Sequence, residues 1–144
     1  MLVKGENLTT IWFDNTENKV KIIDQRLLPH ELKIVNLTTL SDSIYAIKEM
    51  QVRGAPLIGV TAAYGMYLAS KENSDIDFLI QSGQKLIATR PTAVNLIWSV
   101  NKVINKIKES EINNRSDYML QLANNIRQDD IEVCSKIGDN GLQL

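Results

Sequence analysis

Residues 53–70 read RGAPLIGVTAAYGMYLAS, and this stretch decides the fold. After its proline, no charged residue appears before Lys71. Large apolar residues recur at helical spacing on one face and small residues on another: Leu57, Val60, Tyr64 and Leu68 on the first, Ala55, Gly59, Ala62 and Ala69 on the second. A small face lets a neighbouring helix approach closely. The spacing therefore predicts a helix over 56–70 that lies in the middle of the fold.

Helical patterns also occur on both sides of this central helix. A serine or threonine at a helix start accepts a hydrogen bond from the first turn, and a proline also fits there. On that basis the other helices are predicted to begin at the following residues: Ser41 or Ser43, Ser74, Pro91 or Thr92, and Ser116. Gly138 or Gly141 is predicted to end the last of them. The sequence thus predicts a bundle of about five helices within residues 41–144.

The first forty residues have a different pattern. Residues 10–14 and 19–24 are short β-branched and aromatic runs, and the polar residues between them favour a turn. Pro29 then interrupts the chain, and residues 32–37 alternate with a period of two. We predict a small three-stranded antiparallel meander over residues 1–40, packed on the helical bundle, and hence an α+β fold.

Composition and charge exclude several classes of protein. With 144 residues, of which 44% are hydrophobic, the chain is long enough for one substantial core. Its formal net charge is −1, and no basic stripe is present that would contact a nucleic acid. No apolar run approaches the roughly 20 residues that span a bilayer, and we find no secretory leader. We expect a cytoplasmic protein without nucleic-acid or membrane partners.

One cysteine and one histidine, Cys134 and His30, lie far apart in the sequence. A single cysteine forms no internal disulfide, and two such distant residues are a poor beginning for a zinc site. We predict no metal, a buried structural thiol on the last helix and an exposed histidine in a loop. Trp12 and Trp98 are predicted to lie in the core, and Ser99 on the solvent side of its helix.

Two segments depart from ordinary core design, because each places an arginine just before a proline-started helix. Arg53 is followed by Gly54 and Ala55, and Arg90 is followed by a proline. A guanidinium offers a planar fork of donors to phosphate oxygens, and backbone N–H groups at a helix start add partial positive charge. The two arginines could clamp one phosphate; alternatively, each is solvated or forms a structural salt bridge. Asn95 could orient Arg90, contact a ligand hydroxyl or cap a neighbouring backbone group.

Longer motifs around these arginines carry a resemblance to a known family. Residues 50–60 (MQVRGAPLIGV) with 62–65 (AAYG), and then residues 90–96 (RPTAVNL), closely resemble the methylthioribose-1-phosphate isomerases of methionine salvage. Residues 24–29 (DQRLLP) resemble the early segment of that family, and the order of all these motifs matches. These isomerases belong to the superfamily that includes the alpha, beta and delta subunits of translation initiation factor 2B. The chain resembles the amino-terminal part of such an isomerase.

The resemblance implies an aldose–ketose isomerase that converts 5-methylthioribose 1-phosphate to 5-methylthioribulose 1-phosphate without a cofactor. It implies that Arg53, Gly54, Ala55 and Arg90 contact the substrate, with Asn95 in a supporting role. The catalytic cysteine and aspartate of the family lie in a Rossmann-like C-terminal domain that these residues do not contain. We therefore expect no catalytic residue in this chain and no turnover by this chain alone. A homodimer is also implied.

Two other functions stay open at this point. The substrate could be another sugar 1-phosphate, such as a ribose bisphosphate, because the side chain at the far sugar carbon is recognised partly by groups outside these residues. A non-catalytic regulatory subunit of the initiation-factor type would share the helical architecture. The intact Arg53-Gly54-Ala55 and Arg90 argue against that second alternative.

Overall fold

The computed structural model describes residues 2–3, 5–109 and 114–142. A three-stranded antiparallel sheet precedes five helices, which confirms the α+β prediction. The strands are β1 (Leu2–Val3), β2 (Glu6–Asn7), β3 (Ile11–Asp14), β4 (Lys19–Ile23) and β5 (Ile34–Leu37). The helices are α1 (Leu40–Lys48), α2 (Ala55–Glu72), α3 (Ile76–Thr89), α4 (Val94–Ile107) and α5 (Arg115–Gly141). The sequence pattern does not predict the short β1–β2 pair.

Strands β3, β4 and β5 form the meander in that order. Ile11 pairs with Ile22, and Val20 pairs with Leu37, so that apolar residues of neighbouring strands lie opposite one another. All four side chains are buried in the same hydrophobic cluster as the core residues of the helices. The sheet and the helices therefore share one core.

Helix α2 lies at the centre of the molecule, as its sequence predicts. Every residue from Leu57 to Ser70 is buried, and the helix packs against each of the other four helices. Its small face allows α4 to approach closely, since a Cβ added at Gly59 would lie 2.9 Å from the Asn95 carbonyl oxygen. The Ser99 hydroxyl donates to the Gly59 carbonyl over 2.7 Å. These contacts hold the start of α4 against the start of α2.

The predicted start of α1 is wrong, because a different residue satisfies the first backbone N–H groups. Thr39 caps the helix in place of Ser41 or Ser43, and its hydroxyl accepts from the Asp42 N–H over 3.1 Å. The Asp42 carboxylate accepts in return from the Thr39 N–H over 2.8 Å. This reciprocal capping box satisfies two donors at once, which a lone serine does not.

The starts of α3 and α4 also differ from the prediction. Asp75 caps α3 instead of Ser74, because its carboxylate accepts from two backbone N–H groups and its charge complements the helix dipole. The Ser74 hydroxyl instead donates back to the last turns of α2. Helix α4 begins at Val94, later than predicted, because the Ala93 N–H closes a turn on the Arg90 carbonyl.

Helix α5 follows Asn114 rather than Ser116, and it ends at Gly141, one of the two predicted ends. Its buried residues end at Ile126. The predicted burial of Cys134 is therefore wrong, since this thiol is exposed on the half of the helix that extends beyond the core. The pattern of apolar residues on α5 continues further than the core that it packs against.

The buried face of α4 differs from the prediction as well. Trp98 is 53% exposed and Ser99 is completely buried, the reverse of the expected arrangement. The close contact between α2 and α4 has room for a serine but not for an indole, so the ring lies outside, 4.7 Å from the Lys102 ammonium. Trp12 is only partly buried, and His30 is exposed, as predicted.

Arg127 connects the last helix to the sheet. Its guanidinium donates to the Ile11 carbonyl over 2.7 Å and to the Thr9 hydroxyl over 2.8 Å. These bonds join the sheet to α5 across 116 positions of sequence. Within the described ranges, no helix combines the length and the apolar character needed to cross a membrane.

Candidate anion-binding site

The structure brings both arginine segments to one pocket. This arginine pocket has a volume of about 360 Å³ and lies where the starts of α2 and α4 meet. It is lined by Met50, Arg53, Gly54, Ala55, Ile58, Arg90, Thr92 and Ala93. All four positions that the sequence predicts for substrate contact are among these residues. Their role in binding stays a prediction.

Two helix starts at this pocket have no side-chain cap. Gly54 precedes α2 and Ala93 precedes α4, and neither residue type has a side-chain acceptor for the N–H groups of the first turn. In the described part of the chain, the N–H groups of Gly54 and Ala55 have no acceptor. Gly54 has a φ of 95°, a conformation that glycine adopts without strain. Uncapped N–H groups at a helix start favour an anion.

Arg53 and Arg90 differ from the other three arginines of the chain. Arg26 pairs with a carboxylate, Arg127 donates to the sheet, and Arg115 donates to a backbone carbonyl just before α3. Among the described residues, the guanidinium groups of Arg53 and Arg90 have no hydrogen-bond or salt-bridge partner. Arg53 is exposed and Arg90 is half-buried. Both groups are therefore available to an anion.

The chemistry of the pocket suits binding better than proton transfer. Its lining contains two guanidinium groups and no carboxylate among the described residues. Thr92 adds a hydroxyl, which can donate to a phosphate oxygen. The described lining includes none of the side chains that commonly serve as a general acid or base, such as histidine, glutamate or cysteine. The described lining is therefore suited to hold a phosphate group.

Asn95 lies outside the arginine pocket. It lines a second pocket of about 300 Å³ between α2, α4 and α5. The lining of this second pocket is Pro56, Gly59, Val60, Asn95, Trp98, Ile126, Asp129, Asp130 and Val133. The Asn95 side chain has no hydrogen bond to Arg90 or to another described residue, whereas its backbone carbonyl packs against Gly59. The structure thus brings four of the five predicted positions together and leaves Asn95 apart.

Sequence reasoning missed four members of the arginine pocket. Met50 and Ile58 add apolar surface, and Thr92 and Ala93 add the turn before α4. Thr92 could have been found from its position close behind Arg90. Met50 could not, because its φ of 58° is unusual for a residue other than glycine and has no signal in the sequence.

The buried Tyr64 joins α2 to α5. The Tyr64 hydroxyl donates to the Asn124 side-chain oxygen over 2.7 Å, and burial raises the pKa of this phenol to about 12. The described residues include no cluster of three or more side chains of the types that bind metal ions.

The family model described as the initiation factor 2 subunit family matches residues 51–144. This range includes both arginines of the pocket and all four helices from α2 to α5. The chain belongs to the initiation factor 2 subunit family.

This family member is similar along its whole length to methylthioribose-1-phosphate isomerases. It is 42% identical over 144 residues to the isomerase of Sinorhizobium medicae, 44% to that of Methylocella silvestris and 38% to that of Escherichia coli. These alignments cover the entire chain, but only 40%, 39% and 39% of the respective relatives. The chain thus spans about 40% of the length of the curated relatives it matches. The resemblance predicted from the motifs is confirmed.

Two solved structures share the fold of this family member. The 5-methylthioribose 1-phosphate isomerase of Pyrococcus horikoshii has a TM-score of 0.78 and 32% identity, over 85% of this chain and 36% of that one. The translation initiation factor eIF-2B subunit delta of A. fulgidus has a TM-score of 0.76 and 32% identity, over 88% of this chain and 38% of that one. The fold alone does not distinguish between the isomerase and the delta subunit.

Proposed function

We propose that this chain is the N-terminal substrate-binding domain of an aldose–ketose isomerase that acts on 5-methylthioribose 1-phosphate. The observation that carries the proposal is the pocket in which Arg53 and Arg90, unpaired among the described residues, meet at two uncapped helix starts. Similarity over the whole chain to isomerases of that name supports the choice of substrate. In this proposal residues 1–40 and 41–144 together form the domain, and the complete enzyme acts as a cytoplasmic homodimer.

The chemistry of the substrate defines the task of the pocket. A phosphate on the anomeric carbon keeps the sugar ring from opening as a free sugar does, so the enzyme must hold this dianion while hydrogen moves between neighbouring carbons. Arg53 and Arg90 would bind the phosphate oxygens together with the N–H groups of Gly54 and Ala55. Fixing the phosphate aligns the sugar for groups contributed from outside the pocket lining. Asn95 would support the site by holding the start of α4 against α2.

An NMR titration of the chain with 5-methylthioribose 1-phosphate tests this binding role. We expect Arg53→Gln or Arg90→Gln to weaken the affinity about tenfold or more, because each removes charged hydrogen bonds worth roughly 1.5–3 kcal/mol. Lys136→Gln is the control, since it removes an exposed positive charge from α5, outside the pocket lining. Equal affinities for the wild type and both arginine variants would show that the arginines do not bind the phosphate.

A non-catalytic regulatory subunit is the second candidate, because the delta subunit has nearly the same TM-score as the isomerase. A hybrid in which residues 1–144 replace the matching segment of the Sinorhizobium medicae isomerase separates the two. Isomerisation that is retained by the hybrid and lost in its Arg53→Gln variant supports the enzyme. A folded hybrid that binds the substrate without turnover favours the regulatory subunit. The chain by itself should show no turnover in the same assay.

A further inference from the structure

The segment between α1 and α2 has an unusual backbone. Met50 has a φ of 58° and Gly54 a φ of 95°, both in the left-handed region. Because Met50 is not a glycine, its conformation requires support from the surrounding structure. Met50, Arg53 and Gly54 all line the arginine pocket. Whatever holds this segment therefore determines the shape of the pocket.

Residues directly after β4 provide that support. The Gln25 N–H donates to the Gln51 carbonyl over 2.9 Å, and the Arg53 N–H donates to the Gln25 side-chain oxygen over 2.7 Å. The Gln51 side-chain amide donates to the Asp24 carboxylate over 2.8 Å. Asp24 and Gln51 are 2% and 6% exposed, so water competes little for this last bond. Three hydrogen bonds thus join the end of β4 to the segment that enters the pocket.

We propose that Gln25 is a positioning residue for the arginine pocket, acting through the backbone N–H of Arg53, with the buried pair of Asp24 and Gln51 as its anchor. This inference rests on the proposed function. Gln25 is not among the described residues that line the pocket, so it acts on the ligand only through the segment that it holds.

The physical effect is preorganisation of the binding segment. The Gln25 oxygen occupies the Arg53 N–H and leaves the next two N–H groups, those of Gly54 and Ala55, without an acceptor among the described residues. A segment that is already ordered loses less conformational entropy when the anion arrives. Loss of the bond should therefore weaken binding without removing any group that contacts the phosphate.

Gln25→Met tests the proposal, because methionine has a similar length but lacks the acceptor oxygen. We expect binding of 5-methylthioribose 1-phosphate to weaken about two- to tenfold, the effect of losing one neutral hydrogen bond. The Arg53 amide should also exchange with solvent faster in the free variant than in the free wild type. Gln84→Met, on an exposed position of α3, is the matched control and should leave both measurements unchanged.

A purely structural role for Gln25 gives a different result. In that case Gln25→Met should lower the free energy of unfolding and shift amide signals throughout the protein. If Gln25 positions the pocket, the shifted amide signals should be confined to residues 50–55 and 90–95. Dispersed shifts, together with a free energy of unfolding well below that of Gln84→Met, would overturn the proposal.

Failure of this inference is distinguishable from failure of the proposed function. If Gln25→Met binds as tightly as the wild type while Arg53→Gln and Arg90→Gln bind weakly, Gln25 has no positioning role and the pocket stands. If the wild type itself does not bind, the proposed function fails and this inference fails with it. A wild-type Arg53 amide that exchanges as fast as that of Gln25→Met would also overturn the inference.

Discussion

Asp24 is a buried carboxylate whose charge is stabilised by a complete set of donors. It is only 2% exposed, a position where an unpaired charge would be strongly destabilising. The Arg26 guanidinium donates to its oxygens over 2.7 and 2.9 Å, and the Arg26 N–H and the Gln51 amide donate over 3.2 and 2.8 Å. These donors, the guanidinium foremost, hold the pKa of Asp24 well below its usual range despite burial.

The lowered pKa makes the contribution of Asp24 to stability depend on pH. The unfolded chain binds this proton more tightly than the folded chain does, so the contribution is complete above about pH 5 and declines progressively as the pH falls further. Asp24→Asn should lower the free energy of unfolding at neutral pH and should reduce the loss of stability between about pH 5 and pH 3. Urea unfolding of both proteins across that range measures the difference.

The pH slope of the variant should be smaller but not zero. Asp14, Glu17 and Asp42 also have lowered pKa values and remain in the variant. If the dependence of stability on pH is the same in Asp24→Asn as in the wild type, the pKa of Asp24 is not lowered in the folded protein. That result would contradict the ionised carboxylate that its donors imply.

At the level of helices, the glycines differ in the space that is available for a side chain. A Cβ added at Gly59 would lie 2.9 Å from a backbone carbonyl oxygen of α4. A Cβ added at Gly83 would lie 2.8 and 2.9 Å from the ends of two α4 side chains, Val100 and Ile104. Gly138 has no atom within 4 Å of an added Cβ. The three positions therefore differ in whether the neighbouring atoms can move to accommodate a methyl group.

Alanine at these three glycines should change stability in a fixed order. Helix propensity favours alanine by up to about 1 kcal/mol at each position, and Gly138→Ala should keep that advantage. At Gly83 the side-chain ends can shift, but overpacking costs about 1–3 kcal/mol and offsets it. Gly59→Ala should be the least stable, because the opposing atom belongs to the backbone. Free energies of unfolding measure the order, and a Gly59→Ala as stable as Gly138→Ala would contradict the close approach of α2 and α4.

The type of each main element was predictable from the sequence, but the helix starts and the orientation of α4 were not. The uncharged run in α2, with apolar residues at helical spacing, predicts a helix in the middle of the fold. The start of α1 depends on a reciprocal bond between Thr39 and Asp42, and the start of α4 depends on a turn closed by Ala93. The apolar residues of α4 span a broad arc, with Trp98 and Ser99 at its two edges, so periodicity does not show which of the two is buried. Only the small face of α2 decides which of the two is buried.

The candidate site was predictable to a similar extent. The order and length of the motifs indicated that Arg53 and Arg90 act together, and the structure places both in one pocket. Their lack of partners among the described residues was not predictable, because it depends on where every acidic side chain lies. The contribution of Gln25 depends on a backbone contact between residues 28 positions apart, which no local pattern reveals.

On the scale of the whole molecule, the two helices α4 and α5 expose large apolar side chains, and Trp98 and Val133 line the same pocket. Val94 and Trp98 of α4 are 75% and 53% exposed, and Val133 and Ile137 of α5 are 53% and 67% exposed. The buried positions of α5 end at Ile126. The outer half of α5 therefore has helical backbone bonds but little tertiary packing, and packing provides most of the stability of a helix in a protein.

Stability should consequently divide along α5. Amides around Met119 to Ile126 should exchange only through global unfolding, whereas amides from about Val133 onward should exchange by local fraying and therefore much faster. Ile126→Ala should cost about 2–5 kcal/mol, because it leaves a cavity in the core. Ile137→Ala, the same substitution on the outer half, should cost less than about 0.5 kcal/mol. Equal exchange protection along the helix and equal losses of stability in the two variants would mean that the outer half is packed in solution. That packing would require another surface to cover the exposed apolar side chains of α5.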